Sequence, residues 1–374
     1  MKVKIKNHII LLFLTIVALG SCQNKDSKSI VNQDFNSNGF AQNFTIQKNN
    51  NYTLLTVKDA FEGSTDSFQY VLYHREKPDI PNANFVKLPI KRAVCMSTTH
   101  VAMLQALGLD STIVAVASFL YDEKLQAKVK KGIIKDLGDG TNLNYELLVD
   151  LEPDVVFTFG VSDAKSYFKI KSLGLVPVIV SEFRDESPLA RAEWLKFFAP
   201  FFGVEEKAAT QFQEIVENYQ NIQQIAATSP TQPTVFTGIP FQGNWYVPGG
   251  RSFEAQFIHD ANGNYLWKHK TESMSLTLGF EVVFEKAQNA QKWLNVGYVF
   301  SKKEVAERDQ RFTQFDAFQS GEMYNYTKRV SPSGGFDIYE SAVVRPDLVL
   351  KDIVKTLHPT LLPDHDFYYY LKMD

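Results

Sequence analysis

The sequence predicts an α/β protein in which two βα lobes are joined by a single long helix and preceded by a β-rich N-terminal extension. Three observations lead to this fold class. Short apolar strands alternate with helical segments from residue 91 onward, a second such series starts near residue 233, and a long helical stretch separates the two. Strands that alternate with helices indicate parallel sheets with right-handed crossovers. The expected divisions are a signal peptide at 1–21, a flexible tether at 22–39, the β-rich extension at 40–90, lobe 1 at 91–187, the linking helix at 188–228 and lobe 2 at 229–374.

The extension and lobe 1 carry the first strand and helix patterns. Strands are predicted at 52–57, 69–74 and 85–90 in the extension, and at 91–97, 112–118, 154–160 and 175–181 in lobe 1. Helices are predicted at 98–109, 144–153 and 165–174. Gly108 is expected to end the first helix, and Asn144 is expected to cap the second.

The linking helix and lobe 2 follow. The pattern predicts one helix from Pro188 to Ala227, interrupted only at Pro200 and Gly203. Lobe 2 is then expected to contain strands at 233–239 and 291–297 and helices at 252–262, 279–290 and 345–359.

A faint internal repeat supports the division into two lobes. The segment "ELLVDLEPDVVFTFG" begins at Glu146, and the segment "EVVFEKAQNAQKWLNVG" begins at Glu281. Each runs from a glutamate through a helix and a short break to an apolar strand and a glycine. The repeat predicts that the two glutamates occupy equivalent positions in the two lobes.

The first residues have the features of a bacterial secretory signal. Three lysines precede the apolar stretch 9–19, which is too short to span a bilayer as a helix. The sequence Leu-Gly-Ser-Cys at 19–22 resembles a lipobox, in which Cys22 would be lipidated and become the mature N-terminus. The alternative is an ordinary signal peptide followed by an incidental cysteine. We expect a periplasmic lipoprotein, held by its acyl chains on either the inner or the outer membrane.

Composition and motifs argue against several classes of protein. A net charge of −3 gives no electrostatic footprint for nucleic acid. The second cysteine, Cys95, lies in an apolar run, so no disulfide framework is expected if Cys22 is lipidated. The sequence has no nucleophile elbow, Walker A loop, zincin motif or C-x-x-C pair. We therefore expect no catalytic residue, no resident metal and no cofactor.

Aromatic residues are concentrated where strands should end. They are Phe119, Tyr121, Phe159, Phe183, Trp245 and Tyr246. In α/β sheets ligands bind at the carboxyl ends of strands, and an aromatic lining suits a bulky, partly apolar ligand. The alternative is that these rings fill the lobe cores. For Trp245 and Tyr246 we favour the cleft, because glycine and proline neighbours expose the backbone there.

Several segments together resemble a known family. Residues 91–118, "KRAVCMSTTHVAMLQALGLDSTIVAVAS", are similar to an opening strand–helix–strand unit, and residues 142–160 to an "N-x-E…L-x-P-D-x-V" segment. These patterns resemble the periplasmic binding proteins of ATP-driven importers for iron–siderophore, haem and cobalamin, over roughly residues 88–360. The segments 191–203, 245–267 and 340–365 resemble the lipoprotein branch found in Bacteroidetes-type bacteria.

The resemblance implies a helical-backbone metal-chelate receptor that closes only modestly and catalyses nothing. It also implies that one glutamate of each lobe, Glu146 and Glu281, docks onto arginines of the membrane permease, which works with an ATPase. Arg–carboxylate pairs fix register and orientation, which supports this role. The alternative is that each glutamate merely complements a helix dipole. A monomer is expected.

The ligand class stays open at this point. The resemblance implies a pocket containing Tyr121 and Trp245. Arg251 and Arg191 are candidates to bind an anionic siderophore, and His100 is a further candidate for the cleft. The alternatives are that Arg251 caps a turn, that Arg191 forms a structural ion pair and that His100 is an ordinary surface or core histidine. An iron–siderophore chelate is the first expectation, and cobalamin or haem is the alternative. An exported hydrolase with an interlobe active site is the alternative from another class.

Overall fold

The computed structural model describes residues 39–81, 83–117, 119–138 and 142–374. Three predicted features lie outside the described residues. They are the signal peptide, the predicted lipidation site Cys22 and nearly all of the tether. Within the described residues, no helix combines the length and the apolar character that crossing a membrane requires.

The described chain forms sixteen strands and twelve α-helices, with short 3₁₀ turns between some of them. The strands are β1 (Phe44–Lys48), β2 (Tyr52–Val57), β3 (Phe68–Tyr73), β4 (Asn84–Lys87), β5 (Ala93–Cys95), β6 (Ile113–Val116), β7 (Lys135–Asp136), β8 (Val155–Thr158), β9 (Pro177–Ile179), β10 (Thr234–Thr237), β11 (Trp245–Pro248), β12 (Asn264–Tyr265), β13 (Ser275–Leu278), β14 (Lys292–Leu294), β15 (Met323–Asn325) and β16 (Leu371–Lys372). The helices are α1 (Thr98–Ala106), α2 (Glu123–Lys130), α3 (Tyr145–Asp150), α4 (Lys165–Ser172), α5 (Pro188–Glu193), α6 (Leu195–Phe198), α7 (Glu205–Ala227), α8 (Phe253–Asp260), α9 (Phe280–Ala287), α10 (Lys302–Arg308), α11 (Asp316–Gln319) and α12 (Pro346–Leu357).

Lobe 1 is built on a parallel five-stranded sheet in the order β7-β6-β5-β8-β9. All residues of β5, β8 and β9 are buried, because helices and the N-terminal extension cover the sheet. The predicted caps are confirmed. The Asn144 side chain accepts a hydrogen bond from the Leu147 N–H at 2.9 Å, and Gly108 adopts a positive φ of 71° just after α1.

Lobe 2 is built on a second five-stranded sheet in the order β12-β10-β14-β15-β16. The first four strands are parallel, and the short terminal strand β16 pairs antiparallel with β15. Phe236, Trp293 and Phe315 stack in the centre of this lobe, with ring centroids 4.8–5.2 Å apart. A separate antiparallel ribbon, β11 with β13, flanks the sheet.

The link between the lobes is interrupted at Pro200 and Gly203, as predicted, and also at Trp194, between α5 and α6. The predicted single helix is divided into α5, α6, a 3₁₀ turn that contains Pro200, and α7. The break arises because proline lacks an N–H and Gly203 has a positive φ of 67°. Helix α7, with 23 residues, is the long connection. Its Ala208 packs in the lobe 1 core, whereas Phe212 and Tyr219 pack in the lobe 2 core.

The N-terminal extension is a four-stranded sheet, β1-β2-β3-β4, that packs onto lobe 1 and shares its hydrophobic core. The buried carboxylate of Glu193 accepts backbone N–H groups from Gly39, Phe40 and Ala41 at 2.8–3.1 Å. The Tyr70 hydroxyl accepts the N–H of Ile179 in β9 at 2.8 Å. These contacts make the extension a structural layer of lobe 1.

A segment of lobe 2, the interlobe strap (residues 331–345), reaches lobe 1. The Glu340 carboxylate accepts the N–H groups of Tyr121 at 2.7 Å and Asp122 at 3.1 Å. The Thr98 hydroxyl donates to the Tyr339 carbonyl at 2.6 Å. A Cβ on Gly335 would lie 2.4 Å from the Leu120 carbonyl oxygen, so only glycine fits at this crossing.

Candidate functional site

A cavity of about 660 Å³ lies between the lobes, at the carboxyl ends of lobe 2 strands β10 and β14. Its walls also include the N-terminal end of α8, the strap and the start of α12. Lobe 1 contributes Thr99, Glu182 and Phe183 to the wall. Adjacent parallel strands that end at one edge create such a crevice, so the position agrees with the general rule for α/β ligand sites.

Local backbone geometry opens the lobe 2 side of the cavity. Strand β10 ends at Thr237 and is followed by Gly238, which has a positive φ of 78°. A Cβ at Gly238 would lie 3.3 Å from the Trp245 indole nitrogen. The Gly238 carbonyl accepts a hydrogen bond from the Trp293 indole at 2.8 Å. The chain thus leaves the sheet sharply, without a side chain at the turn.

Aromatic side chains form much of the cavity wall. They are Phe183, Phe241, Tyr246, Phe253, Phe257, Tyr298, Tyr326, Tyr339 and Tyr370. The Tyr339 hydroxyl donates to that of Tyr326 at 2.7 Å, and the Tyr370 hydroxyl donates to the Asn295 side-chain oxygen at 2.6 Å. Burial raises the pKa of Tyr326, Tyr339 and Tyr370, so these rings stay neutral. Tyr246 and Tyr298 are 45% and 62% exposed and offer open faces to a ligand.

Arg191 is a cation of the cavity wall, and two of its donor nitrogens are directed toward the protein. Its Nε donates to the Asp185 carbonyl at 3.0 Å, and its Nη2 donates to the Phe183 carbonyl. Its guanidinium lies 3.5 Å from the centroid of the Phe253 ring. Burial lowers the pKa of Arg191 to about 10, so the side chain is still charged at neutral pH.

Two acidic side chains face this arginine from opposite lobes. Glu182 follows β9, is 5% exposed and accepts the Thr99 hydroxyl through Oε1 at 2.5 Å. Its Oε2 has no hydrogen-bond partner among the described residues. Glu254, in the first turn of α8, accepts the Asn295 amide at 3.4 Å. Burial raises the pKa of the Glu254 carboxyl, and Asn295 and the Arg191 charge partly oppose this.

Glu146 and Glu281 occupy equivalent places in the two lobes. Each is the second residue of a helix, α3 or α9, that leads into a strand beside the first strand of its lobe. A helix that returns before a parallel strand begins at the carboxyl edge of the sheet. Both side chains are exposed, and Glu281 contacts Arg311 Nη1 at 3.3 Å.

Comparison with known proteins identifies the family. The sequence profile described as "periplasmic binding protein" matches residues 94–330, more than half of the chain. The chain belongs to the periplasmic binding protein family. This family serves ABC transporters and consists of substrate-binding proteins, which are not enzymes.

Individual relatives agree with the family. An uncharacterized lipoprotein of Methanocaldococcus jannaschii is 24% identical over 301 residues, which cover 78% of this chain and 70% of the relative. A possible iron-binding periplasmic protein of Staphylococcus epidermidis has a TM-score of 0.56 at 18% identity, over 72% of this chain and 100% of that one. A periplasmic haem-binding protein of Pseudomonas aeruginosa has a TM-score of 0.57 at 15% identity, over 72% of this chain and 94% of that one. The structural relatives share the fold.

Two of the residues that the sequence assigns to the ligand site line the cavity of this binding protein. Tyr246, on β11, and Arg191, on α5, both line the wall. Phe183, noted in the sequence as a strand-end aromatic, lines the wall as well.

The lobe 2 expectations for Trp245 and Arg251 need correction. Trp245 is fully buried in the lobe 2 core, where its indole donates to the Thr237 carbonyl at 2.9 Å. Side chains alternate along β11, so Trp245 faces inward while Tyr246 faces the cavity. Arg251 lies outside the cavity wall and forms an exposed ion pair with Glu186 at 2.8 Å.

The lobe 1 candidates also lie away from the cavity wall. Phe119 is 72% exposed, and the Tyr121 ring packs under Arg329 at 5.0 Å, beside the strap. Phe159 and His100 pack in lobe 1, with their ring centroids 6.4 Å apart. His100 is 1% exposed, and burial lowers the pKa of its imidazole. His100 and Phe159 thus pack within lobe 1, as the alternative for strand-end aromatics expects, whereas Phe119 is exposed.

The sequence reasoning missed Glu182, Glu254 and the tyrosines Tyr298, Tyr326, Tyr339 and Tyr370. A usable signal existed for Glu182 and Tyr298. Glu182 follows the apolar strand "VPVIVS" directly, and Tyr298 follows the strand and glycine "WLNVG". The rule that was applied to aromatic residues at strand ends applies equally to a carboxylate there.

The described residues contain no group of three or more His, Cys, Asp or Glu side chains arranged to hold a metal ion. A second cleft of about 510 Å³ lies on lobe 2, lined by polar residues that include Gln223, His259, Asp260 and Lys268. The Asp260 carboxylate in this cleft is already engaged by Tyr219, Gln223 and Gln256 at 2.8 Å.

Proposed function

We propose that this periplasmic binding protein is a lipid-anchored receptor of an ABC importer, which captures a metal chelate of the iron–siderophore type between its lobes and delivers it to the permease. The observation that carries the proposal is the aromatic interlobe cavity at the strand ends. Its volume of about 660 Å³ lies within the range of small-molecule sites, roughly 300–1,000 Å³. Relatives named as iron-binding and haem-binding proteins support a metal chelate as the cargo.

Delivery would depend on Glu146 and Glu281. Their equivalent positions on α3 and α9 support a role as paired contacts for permease arginines. The exposed contact between Glu281 and Arg311 is no obstacle, since an exposed ion pair contributes at most about 1 kcal/mol and can be exchanged for another.

Anchoring would depend on lipidation of Cys22. Two curated relatives, both from Methanocaldococcus jannaschii, are named lipoproteins, which supports an anchored receptor. The site itself lies outside the described residues.

Cobalamin and haem are alternative cargoes. The open faces of Tyr246 and Tyr298 suit a flat macrocycle as well as a compact chelate, because both offer apolar surface for ring contacts. The hydrolase alternative is not retained, since the family consists of binding proteins.

The proposal is tested by calorimetric titration of the soluble form that starts after Cys22, with ferric siderophores, haem and cyanocobalamin in turn. We expect saturable binding of one of them. The Tyr246→Ala variant should weaken that binding at least roughly tenfold, because an aromatic contact surface is lost. Phe119→Ala is the matched control, since Phe119 is exposed and lies outside the cavity. No binding across the panel, or equal effects of the two variants, would contradict the proposal.

A further inference from the structure

The charged side chains at the cavity differ in how fully the protein satisfies their hydrogen-bonding groups. Arg191 directs its Nε and Nη2 to backbone carbonyls, and Arg308, at the cavity mouth, donates to the Tyr298 carbonyl at 2.7 Å. Arg251, outside the wall, is paired with Glu186. Each of these arginines therefore has at least one acceptor within the protein for its five N–H donors.

The carboxylate of Glu182, in contrast, has an oxygen atom without a hydrogen-bond partner among the described residues. Glu182 is only 5% exposed, and its Oε2 has no hydrogen-bond partner among the described residues. A buried acceptor that lacks a partner costs roughly 1–3 kcal/mol, and more when it is charged. The nearby charge of Arg191 offsets part of this cost but supplies no hydrogen bond that the structure records. Glu182 lines the cavity, and its unpaired Oε2 is itself buried, so a ligand contacts this acceptor when the side chain moves.

Glu254 adds a second acceptor from the other lobe. Its one recorded hydrogen bond, from the Asn295 amide, is long at 3.4 Å. Both glutamates, and Asp185 as well, interact electrostatically with the guanidinium of Arg191. Glu182 and Glu254 thus bring two carboxylates to a cavity wall that also carries Arg191 and Arg308.

We propose that Glu182 and Glu254 form a bipartite subsite for a cationic or N–H-donating arm of the ligand, such as a primary ammonium or a carboxamide. The cavity would accordingly accept cationic or neutral chelates and discriminate against anionic ones. This inference rests on the proposed function and specifies the charge class of its cargo.

The physical reason is charge-assisted hydrogen bonding. An ammonium or amide group that reaches Glu182 Oε2 satisfies an acceptor that the protein leaves open, and such bonds are about twice as strong as neutral ones. An anionic arm placed there meets two carboxylates and leaves both unpaired. Because the lobes contribute one glutamate each, the same contact would also hold the lobes together around the ligand. The side-chain movement that exposes Glu182 Oε2 to a ligand would be small, and such rearrangements commonly accompany binding.

The test uses pairs of ligands that differ only at the arm. Ferric desferrioxamine B ends in an ammonium, and its N-succinyl derivative, which ends in a carboxylate, is the anionic counterpart. Cyanocobalamin and its monocarboxylate form the corresponding pair on a corrin core. Whichever core binds in the calorimetric panel is used. We expect the ammonium or amide form to bind roughly 10- to 100-fold more tightly than its partner.

The glutamate variants show where the preference originates. Glu182→Gln and Glu254→Gln should each reduce the preference to within about threefold, whereas Glu206→Gln, an exposed acid on α7, should preserve it. Two separate variants protect against loss of folding in one of them, and far-ultraviolet circular dichroism checks that each is folded.

The outcomes separate the two proposals. Chelates that bind without regard to charge, or haem with its two propionates binding more tightly than the neutral and cationic probes, would overturn this inference and leave the proposed function standing. A preference that persists unchanged in both glutamate variants would also overturn it. Failure of every probe to bind would overturn the proposed function, and the inference with it.

Discussion

The carboxylate of Glu340, in the interlobe strap of lobe 2, accepts the backbone N–H of Tyr121 in lobe 1 at 2.7 Å. A second hydrogen bond, from the Asp122 N–H at 3.1 Å, completes a fork across the lobe junction. Glu340 is only 2% exposed. The strap is thus attached to lobe 1 through a buried ionisable group, which gives this junction a dependence on pH.

The first prediction concerns that pH dependence. Burial raises the pKa of Glu340 from 4.5 to about 7, although the two N–H groups act in the opposite direction. A carboxyl whose pKa is raised in the folded state contributes stability that is fully present below its unfolded pKa and lost as pH rises through the folded pKa. We expect the free energy of unfolding to lose roughly 2 kcal/mol through this group between about pH 5 and pH 8.

Urea unfolding of the wild type and of Glu340→Gln over that pH range measures this contribution. The variant should show a flatter profile, because the glutamine does not ionise. Asp185, whose pKa burial raises to about 6, changes stability in the same direction in both proteins and cancels in the difference. Parallel profiles for the two proteins would contradict the prediction.

The second prediction concerns delivery. The double variant Glu146→Ala, Glu281→Ala should abolish uptake of the cargo while leaving its affinity for the soluble protein nearly unchanged, because neither side chain lines the cavity. Uptake by cells and calorimetry on the purified protein give the two readouts. The control is Glu206→Ala, which removes an exposed acid elsewhere. A large loss of affinity in the double variant would refute the docking role.

The third prediction concerns the N-terminal extension. Glu193→Gln should lower the free energy of unfolding by about 2–3 kcal/mol, since a buried charged acceptor of three backbone N–H groups is replaced by a neutral amide. Hydrogen exchange should increase first at residues 39–41. Protection there that matches the wild type would mean that Glu193 does not hold the extension in place.

The fourth prediction separates the neighbours Trp245 and Tyr246. Trp245→Phe should cost about 1–3 kcal/mol of stability, because it leaves a void in the lobe 2 core and removes the hydrogen bond to Thr237. Ligand affinity should change little. Tyr246→Ala, on the cavity side of the same strand, should change stability little but weaken ligand binding at least roughly tenfold. Thermal unfolding measures stability, and calorimetry measures ligand affinity. A loss of affinity without a loss of stability in Trp245→Phe would place Trp245 at the ligand.

Much of the fold could be predicted because local signals agree with tertiary structure. Strand β2 has the predicted bounds 52–57, and the Asn144 cap and the Gly108 stop are where the sequence places them. Helix α2 was missed because it is polar and buries only Leu125, so apolar periodicity does not reveal it. Strand β16 was missed because two residues carry no pattern, and its partner is far away in sequence.

The site was predicted only in part, for a related reason. Trp245 and Tyr246 have the same glycine and proline neighbours, and only the pairing of β11 with β13, some thirty residues away, decides which side chain faces inward. His100 is next to a strand end, but its position on α1 turns the ring into the core. Tyr339 enters the cavity through the strap, whose path across the lobes has no local sequence signal.

The most direct measurement of the central claim is anomalous X-ray diffraction from crystals grown with the chelate that saturates the soluble protein, recorded at the absorption edge of its metal. The account predicts one strong peak in the interlobe cavity, between Tyr246, Tyr298 and the strap. A peak in the polar cleft beside Asp260 and His259, or no ordered metal in the cavity despite saturation, would contradict it.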